Sequence, residues 1–260
     1  MASRQQEQKI RAQESGNIFF FYRPRVRPPG DEWTPRGLDD VARSYIVLHP
    51  KGKGLYRLII VPKKRLPDVS KHEREWAFVE KVSRKPGEIE RELGEETYET
   101  RTRGERIVPA ARPAGEGVYA LVRHDDHTHI AYALELPERP GPVQKTLNIE
   151  KEASYIVSVK NPESPSPPGV GLPEDEAAKY PKALAERFRG RRFLPADPPE
   201  LLDYPGAQLL LIGAAEDVRA ELGIELNPER ETEQTAEIFR DLHLAKSKTK
   251  VDPLTKGKWA

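Results

Sequence analysis

The 260 residues contain no cysteine and a single methionine. Disulfides, thiolate nucleophiles and Cys-ligated zinc are therefore excluded for this chain. Long apolar runs are also missing. No stretch approaches the roughly eighteen apolar residues that a membrane-spanning helix needs. The start, Met1-Ala-Ser-Arg-Gln-Gln-Glu-Gln-Lys9, lacks the apolar segment of a signal peptide, so a cytoplasmic protein with no membrane contact is expected. Charge of one dominant sign is absent too: 33% of residues are charged, yet the net charge is only +1. Mixed signs argue against a histone-type polyanion binder, though not against a local basic patch. The chain has no Walker phosphate loop, no Rossmann glycine fingerprint, no nucleophile elbow and no zinc-protease helix motif. Proline, by contrast, is abundant at 25. With so many ionic side chains it suits the stiff loops of a heat-tolerant protein, and equally a biased genomic base composition.

The pattern that organises the chain is a faint internal repeat. Tyr45–Pro62 reads as a β-hairpin, and Val118–Pro137 reads as a second. Each ends in proline, and each is followed by a further strand-like run, Glu75–Val82 and Ala153–Val159. Leu55–Val61 is apolar on both faces, as in a central strand covered on both sides. A strand is expected to begin near Asn17 with Ile18-Phe-Phe-Phe-Tyr22, after a flexible N-terminus over 1–16. Helices are expected at 86–93, stopped by Gly94, at 141–147, at 173–188 with a break or kink forced by Pro181, at 215–222 and at 232–242, and a buried strand at Gln208–Ile212. Tyr98–Arg103 reads as an edge strand, and 244–260 as a basic surface tail. Hairpins outnumber long crossovers, so the expected fold class is α+β with mostly antiparallel sheet. It would comprise one compact domain over 17–243, with two related hairpin-centred lobes at about 17–105 and 115–213 and helices over 214–243.

Three constellations could carry chemistry. The first is His124-Asp-Asp-His-Thr-His129. With Asp125-Asp126 as a two-residue turn, His124 and His127 oppose each other and His129 shares their face. Imidazoles beside carboxylates suit zinc or another divalent ion, so His124, His127, His129 and Asp126 form a candidate metal set. A solvent-facing polar hairpin tip explains the same residues, and a one-residue slip would separate them. The second is Arg187-Phe-Arg-Gly-Arg-Arg-Phe193, where Arg187, Arg189, Arg191 and Arg192 could clamp an anion; alternatively, these cations answer a helix dipole ended by Gly190. The third is Phe19–Arg27, with Arg23, Arg25 and Arg27 beside three phenylalanines that serve either a nucleic-acid platform or the core. The tail lysines from Lys246 would add only weak phosphate contacts.

The stretches Asn17–Val26, Glu75–Val82, His127–Tyr132, Ser154–Pro162 and Leu202–Ala207 resemble a family of uncharacterised microbial proteins, over nearly the whole chain. That resemblance implies no activity, catalytic residue, cofactor or partner; it implies a single-family protein. The leading expectation is a non-catalytic binding or interaction protein taking an anionic ligand or a protein partner in a cleft between the lobes, near Arg187–Arg192. The alternatives are a metal-dependent hydrolase of phosphate esters, with the divalent ion on His124, His127 and His129 and with Asp126 assisting, and nucleic-acid binding through the arginine segments.

Overall fold

The computed structural model describes residues 10–30, 33–102, 104–167 and 169–260. Residues 1–9 of the expected flexible start and Arg103 of the expected edge strand lie outside them. β1 (Ile10–Pro24) decides the architecture. One edge pairs antiparallel with β2 (Val41–Pro50), and the other with β7 (Arg112–His124). β2 forms the first expected hairpin with β3 (Tyr56–Val61), and β7 forms the second with β8 (His127–Leu136). Lying between them, β1 fuses the two hairpins into a single sheet.

The sheet continues from β3 through β4 (Arg74–Ser83) and β11 (Gln208–Ala215) to β9 (Glu152–Lys160), and β9 pairs back onto β8. The result is a closed, eight-stranded antiparallel barrel, with β10 (Phe193–Pro195) added beside the end of β9. The expected two-lobed α+β fold is thus incorrect. Each hairpin has apolar side chains on both faces, and closing the sheet buries the inner set while short helices cover parts of the outer set. β5 (Glu96–Thr100) and β6 (Gly104–Val108) form a separate two-stranded ribbon, which accounts for the expected edge strand.

The lumen is a packed core. Ile18, Phe20, Ile46, Ile59, Leu121 and Tyr132 are among the side chains lining an apolar cavity of only about 20 Å³. Such a space holds about one water-sized sphere, so side chains fill the barrel and no ligand chamber remains. Gly117 is required by this closeness: a Cβ there would stand 2.1 Å from the Ala133 carbonyl oxygen. A second cluster covers the outer face of β1–β3. Phe19, Phe21, Val47 and Leu58 pack there under Ile89 and Leu93 of α1 (Pro86–Leu93). A third puts Val218 and Leu222 on Ala120, Val122 and Ala131. Among the described residues no helix is long and apolar enough to cross a membrane.

α2 (Pro142–Leu147) and α1 sit where expected. The expected break at Pro181 is present, but no helix forms ahead of it: only α3 (Lys182–Ala185), with Pro181 at its N-cap, and a 3-10 turn after it are helical. α4 (Val218–Leu222) and α5 (Glu237–Asp241) are shorter than expected. Two other expectations need correction. Residues 10–16 belong to β1, since β7 pairs with them from Ile10 onward. The tail is not a surface segment throughout: α6 (Asp252–Lys256) buries Pro253 and Leu254, and the Trp259 ring meets Tyr22 edge-on at 5.1 Å between centroids.

Candidate functional site

Buried polar groups in this barrel fall into satisfied and unsatisfied sets, and the distinction locates the candidate site. The largest satisfied set closes one mouth of the barrel. Arg57 is fully buried near the start of the otherwise apolar β3. Its Nη1 and Nη2 donate to the two Glu14 carboxylate oxygens at 2.5 and 2.9 Å, and its Nε donates to Asp203 Oδ1 at 2.6 Å. Tyr119 Oη donates to Glu14 at 2.8 Å, while Lys53 Nζ reaches Glu14 at 2.9 Å and Glu200 at 3.0 Å. Burial alone would raise the Glu14 carboxyl, but its bonds to Arg57, Lys53 and Tyr119 hold it below the ordinary value. Burial likewise opposes the Arg57 charge, and Glu14 outweighs that effect, raising its pKa. With every member partnered, the network seals the fold and leaves nothing for a ligand.

The unsatisfied groups are scattered, among them Tyr22, His124, His129, Tyr155 and Gln208; one of them, Gln208, stands beside a buried lysine on the outside of the barrel, at the ends of β9 and β11. The β9–β11 ladder ends at the Leu209–Val159 pair, and continuing its register one step brings Lys160 and Gln208 opposite each other. Lys160 is 2% exposed and Gln208 is 3% exposed. Both line a groove of about 790 Å³, walled by Pro165, Leu172, Ala177 and Tyr180 and edged by Glu163 and Glu174. Lys160 Nζ donates to the Asn161 carbonyl at 3.1 Å and to the Ser164 carbonyl. Among the described residues no carboxylate pairs with it. Burial, and then the nearby Arg192 charge, lower its pKa. Gln208 Oε1 is buried with no hydrogen-bond partner. Gly171 (φ +111°) lets the loop cross close by: a Cβ there would come 3.1 Å from Gln208 Oε1.

The arginine turn borders this region. Phe188 is buried and anchors it, while Arg187, Arg189, Arg191 and Arg192 are exposed. Asn161 ties the turn to β9, its backbone N–H donating to the Arg192 carbonyl at 2.8 Å and its side chain to the Arg191 carbonyl at 3.2 Å. The Arg192 guanidinium lies over the Phe193 ring, 5.7 Å from its centroid. None of the four arginines lines the groove; the turn that carries them is tied to its β9 end through Asn161, and only the Arg192 charge acts on Lys160. With a single closed barrel, the expected inter-lobe cleft does not exist.

The histidine hairpin has the expected register. His124 pairs with His127, and Val122 with His129, around a turn at Asp125-Asp126. The three imidazoles share the outer face beside α4. The His124 and His129 rings are 5.7 Å apart, whereas His127 and Asp126 are exposed at the tip. His124 Nε2 and His129 Nδ1 are buried without hydrogen-bond partners. His129 Nδ1 lies 3.8 Å from Glu221 Oε1, and Ser154 Oγ holds the other oxygen of that carboxylate. Burial, followed by the charges of His124 and His127, lowers the His129 pKa to about 4. Among the described residues no three His, Asp or Glu side chains come together as a metal-holding group. Asp217 caps α4 by accepting from the Ala220 N–H at 2.8 Å. Asp217→Ala is expected to cost about 1 kcal/mol, and a melting curve lowered by about 2–4 °C would register it.

Arg23, expected to project with Arg25 and Arg27, is instead buried. It donates to the Gly94 and Pro109 carbonyls, each at 2.7 Å, and to the Tyr45 hydroxyl at 3.0 Å. Phe19, Phe20 and Phe21 are all core. That segment therefore presents neither the full arginine row nor the aromatic platform that a nucleic acid would need. No protein-family model, no curated protein and no solved structure matches the chain.

Proposed function

We propose that this barrel is a binding protein for a small anion, held in the groove between the ends of β9 and β11 and the 161–180 segment. One observation carries the reading: Lys160 is an almost fully buried ammonium whose described partners are neutral carbonyls. A buried charge without a counter-ion is costly, and an incoming anion would offset that cost. Arg187, Arg189, Arg191 and Arg192 supply the positive field that would draw an anion in, which is the role their exposure favours over direct contact. Anions binding only the folded state raise its melting temperature by mass action. Millimolar acetate at constant ionic strength is expected to raise the Tm of the wild type and not that of Lys160→Met. An equal rise in both, or none in either, would refute the assignment.

A second reading is favoured by the unpartnered nitrogens of His124 and His129. The His124 and His129 imidazoles beside Glu221 could take a divalent metal after side-chain rotation, with His127 and Asp126 at the tip, and the metal could serve hydrolysis of phosphate esters. Zinc titrated into untagged protein is then expected to bind at one equivalent and to be lost in His129→Ala. Zinc-free protein after dialysis from excess metal would end that reading.

A further inference from the structure

We infer that the ligand is a small organic monocarboxylate carrying a hydrogen-bond donor on the carbon next to the carboxylate, followed by an apolar tail. N-acyl amino acids and α-hydroxy acids share this chemistry. The inference rests on the anion-binding reading of the groove and adds the class of ligand.

Three features select it. An ammonium has three hydrogens, and two are taken by the Asn161 and Ser164 carbonyls. One N–H remains, which suits one oxygen of a carboxylate; phosphate dianions are met by several donors at once, commonly from bidentate guanidinium groups. Glu163 and Glu174 on the groove edge also repel a second negative charge. The second feature is Gln208, directly opposite Lys160 across the strand pair, where cross-strand side chains lie about 5 Å apart. Its Oε1 is buried under Gly171 with no partner, and an unmet acceptor in the groove wall calls for a donor on a ligand that reaches beneath that loop. The donor must sit next to the anionic group because Lys160 and Gln208 are immediate neighbours. The third feature is the wall: Leu172, Ala177, Ala178 and Tyr180 offer apolar surface past the two polar groups. No described donor or acceptor is needed there, so a branched aliphatic tail fits.

The full chain can be titrated calorimetrically with N-acetyl-leucine, 2-hydroxy-4-methylpentanoate, 4-methylpentanoate, N-acetyl-leucine methyl ester and inorganic phosphate. The first two are expected to bind at least about tenfold more tightly than 4-methylpentanoate, which leaves Gln208 unpaired. The ester and phosphate are expected to be weaker still. Gln208→Leu should erase the preference for the donor-bearing acids while keeping carboxylate binding, and Lys160→Met should abolish both. Each variant is compared by circular dichroism and melting, and Lys160→Arg serves as a charge-retaining variant expected to keep weakened binding. Equal affinity for 4-methylpentanoate or phosphate, unchanged in Gln208→Leu, would overturn the ligand class and leave the anion site standing. Ester binding as tight as the acid, or no binding by any of the five, would overturn both.

Discussion

Arg57→Met is expected to destabilise the barrel by about 3–5 kcal/mol, the cost of leaving a buried charge without its partner. The stranded group is Glu14, a side chain 3% exposed that loses both guanidinium bonds. Lys53 still reaches it, but Lys53 is more exposed and shared with Glu200, so its compensation is partial. Asp203 is less affected because its side chain is 20% exposed and can hydrate. The double variant Glu14→Met/Arg57→Met should recover much of the loss, since apolar replacement of a whole buried pair is often neutral or better. Tyr119 would then need water or Asp203 for its hydroxyl. Denaturant melts of the two single variants and the double variant measure the coupling directly. A double variant no better than the sum of the singles would show that packing, and not charge pairing, makes Arg57 important.

Stability is expected to fall as pH rises from about 6.5 to 8. Glu116 is 1% exposed on β7, and its carboxylate oxygens accept from the Glu237 and Ile238 backbone N–H groups at 3.1 and 3.0 Å. Burial raises its pKa to about 8 despite those bonds, with Glu135 and Glu231 adding to the rise. Glu135 accepts from the Glu229 N–H at 2.6 Å, and burial, followed by the charges of Glu237, Glu231 and Glu229, raises it to about 7. In the unfolded chain both ionise near the ordinary glutamate value, so unfolding releases protons between that value and the raised ones. Stability contributed at low pH is then lost as pH climbs through 7 and 8. His129 acts in the opposite sense: its depressed pKa removes stability only as pH falls from its ordinary 6.5 towards about 4. Above pH 6.5 His129 adds nothing further to the slope. A Tm lower at pH 8 than at pH 6.5 by about 5–10 °C follows for a chain of this size. Glu116→Gln should flatten the part of that slope above pH 7, whatever it does to absolute stability. A wild-type Tm constant over this window would contradict the account.

Much of the strand inventory could be read from alternation. The two hairpins, the runs around Trp76 and Tyr155 and the short helix ended by Gly94 are local patterns, and the chain obeys them. Closure was not legible, because it depends on which strand edges meet. The β1–β7 pairing and the insertion of β11 between β4 and β9 join residues far apart in sequence. The short apolar run at Gln208–Ile212 marks a buried strand without naming its neighbours. The polar sites divide in the same way. The histidine hairpin could be read because a tight turn fixes its register. Lys160 and Gln208 could not, because each is an ordinary polar residue at a strand end until the barrel sets them opposite each other. Arg57 did leave a signal, a lone guanidinium inside a two-sided apolar strand. Its partners Glu14 and Asp203 lie in segments that give no hint of being paired with it.

The order in which β11 joins the sheet constrains biosynthesis. Until residues 208–215 have left the ribosome, β4 and β9 each present an open edge, and the two halves of the wall cannot meet. The nascent chain thus carries unpaired strands for most of its translation, a state prone to sticking to other chains. Truncations ending ahead of Gln208 should accumulate as insoluble material, and full-length yield should depend on chaperone supply more than on synthesis rate.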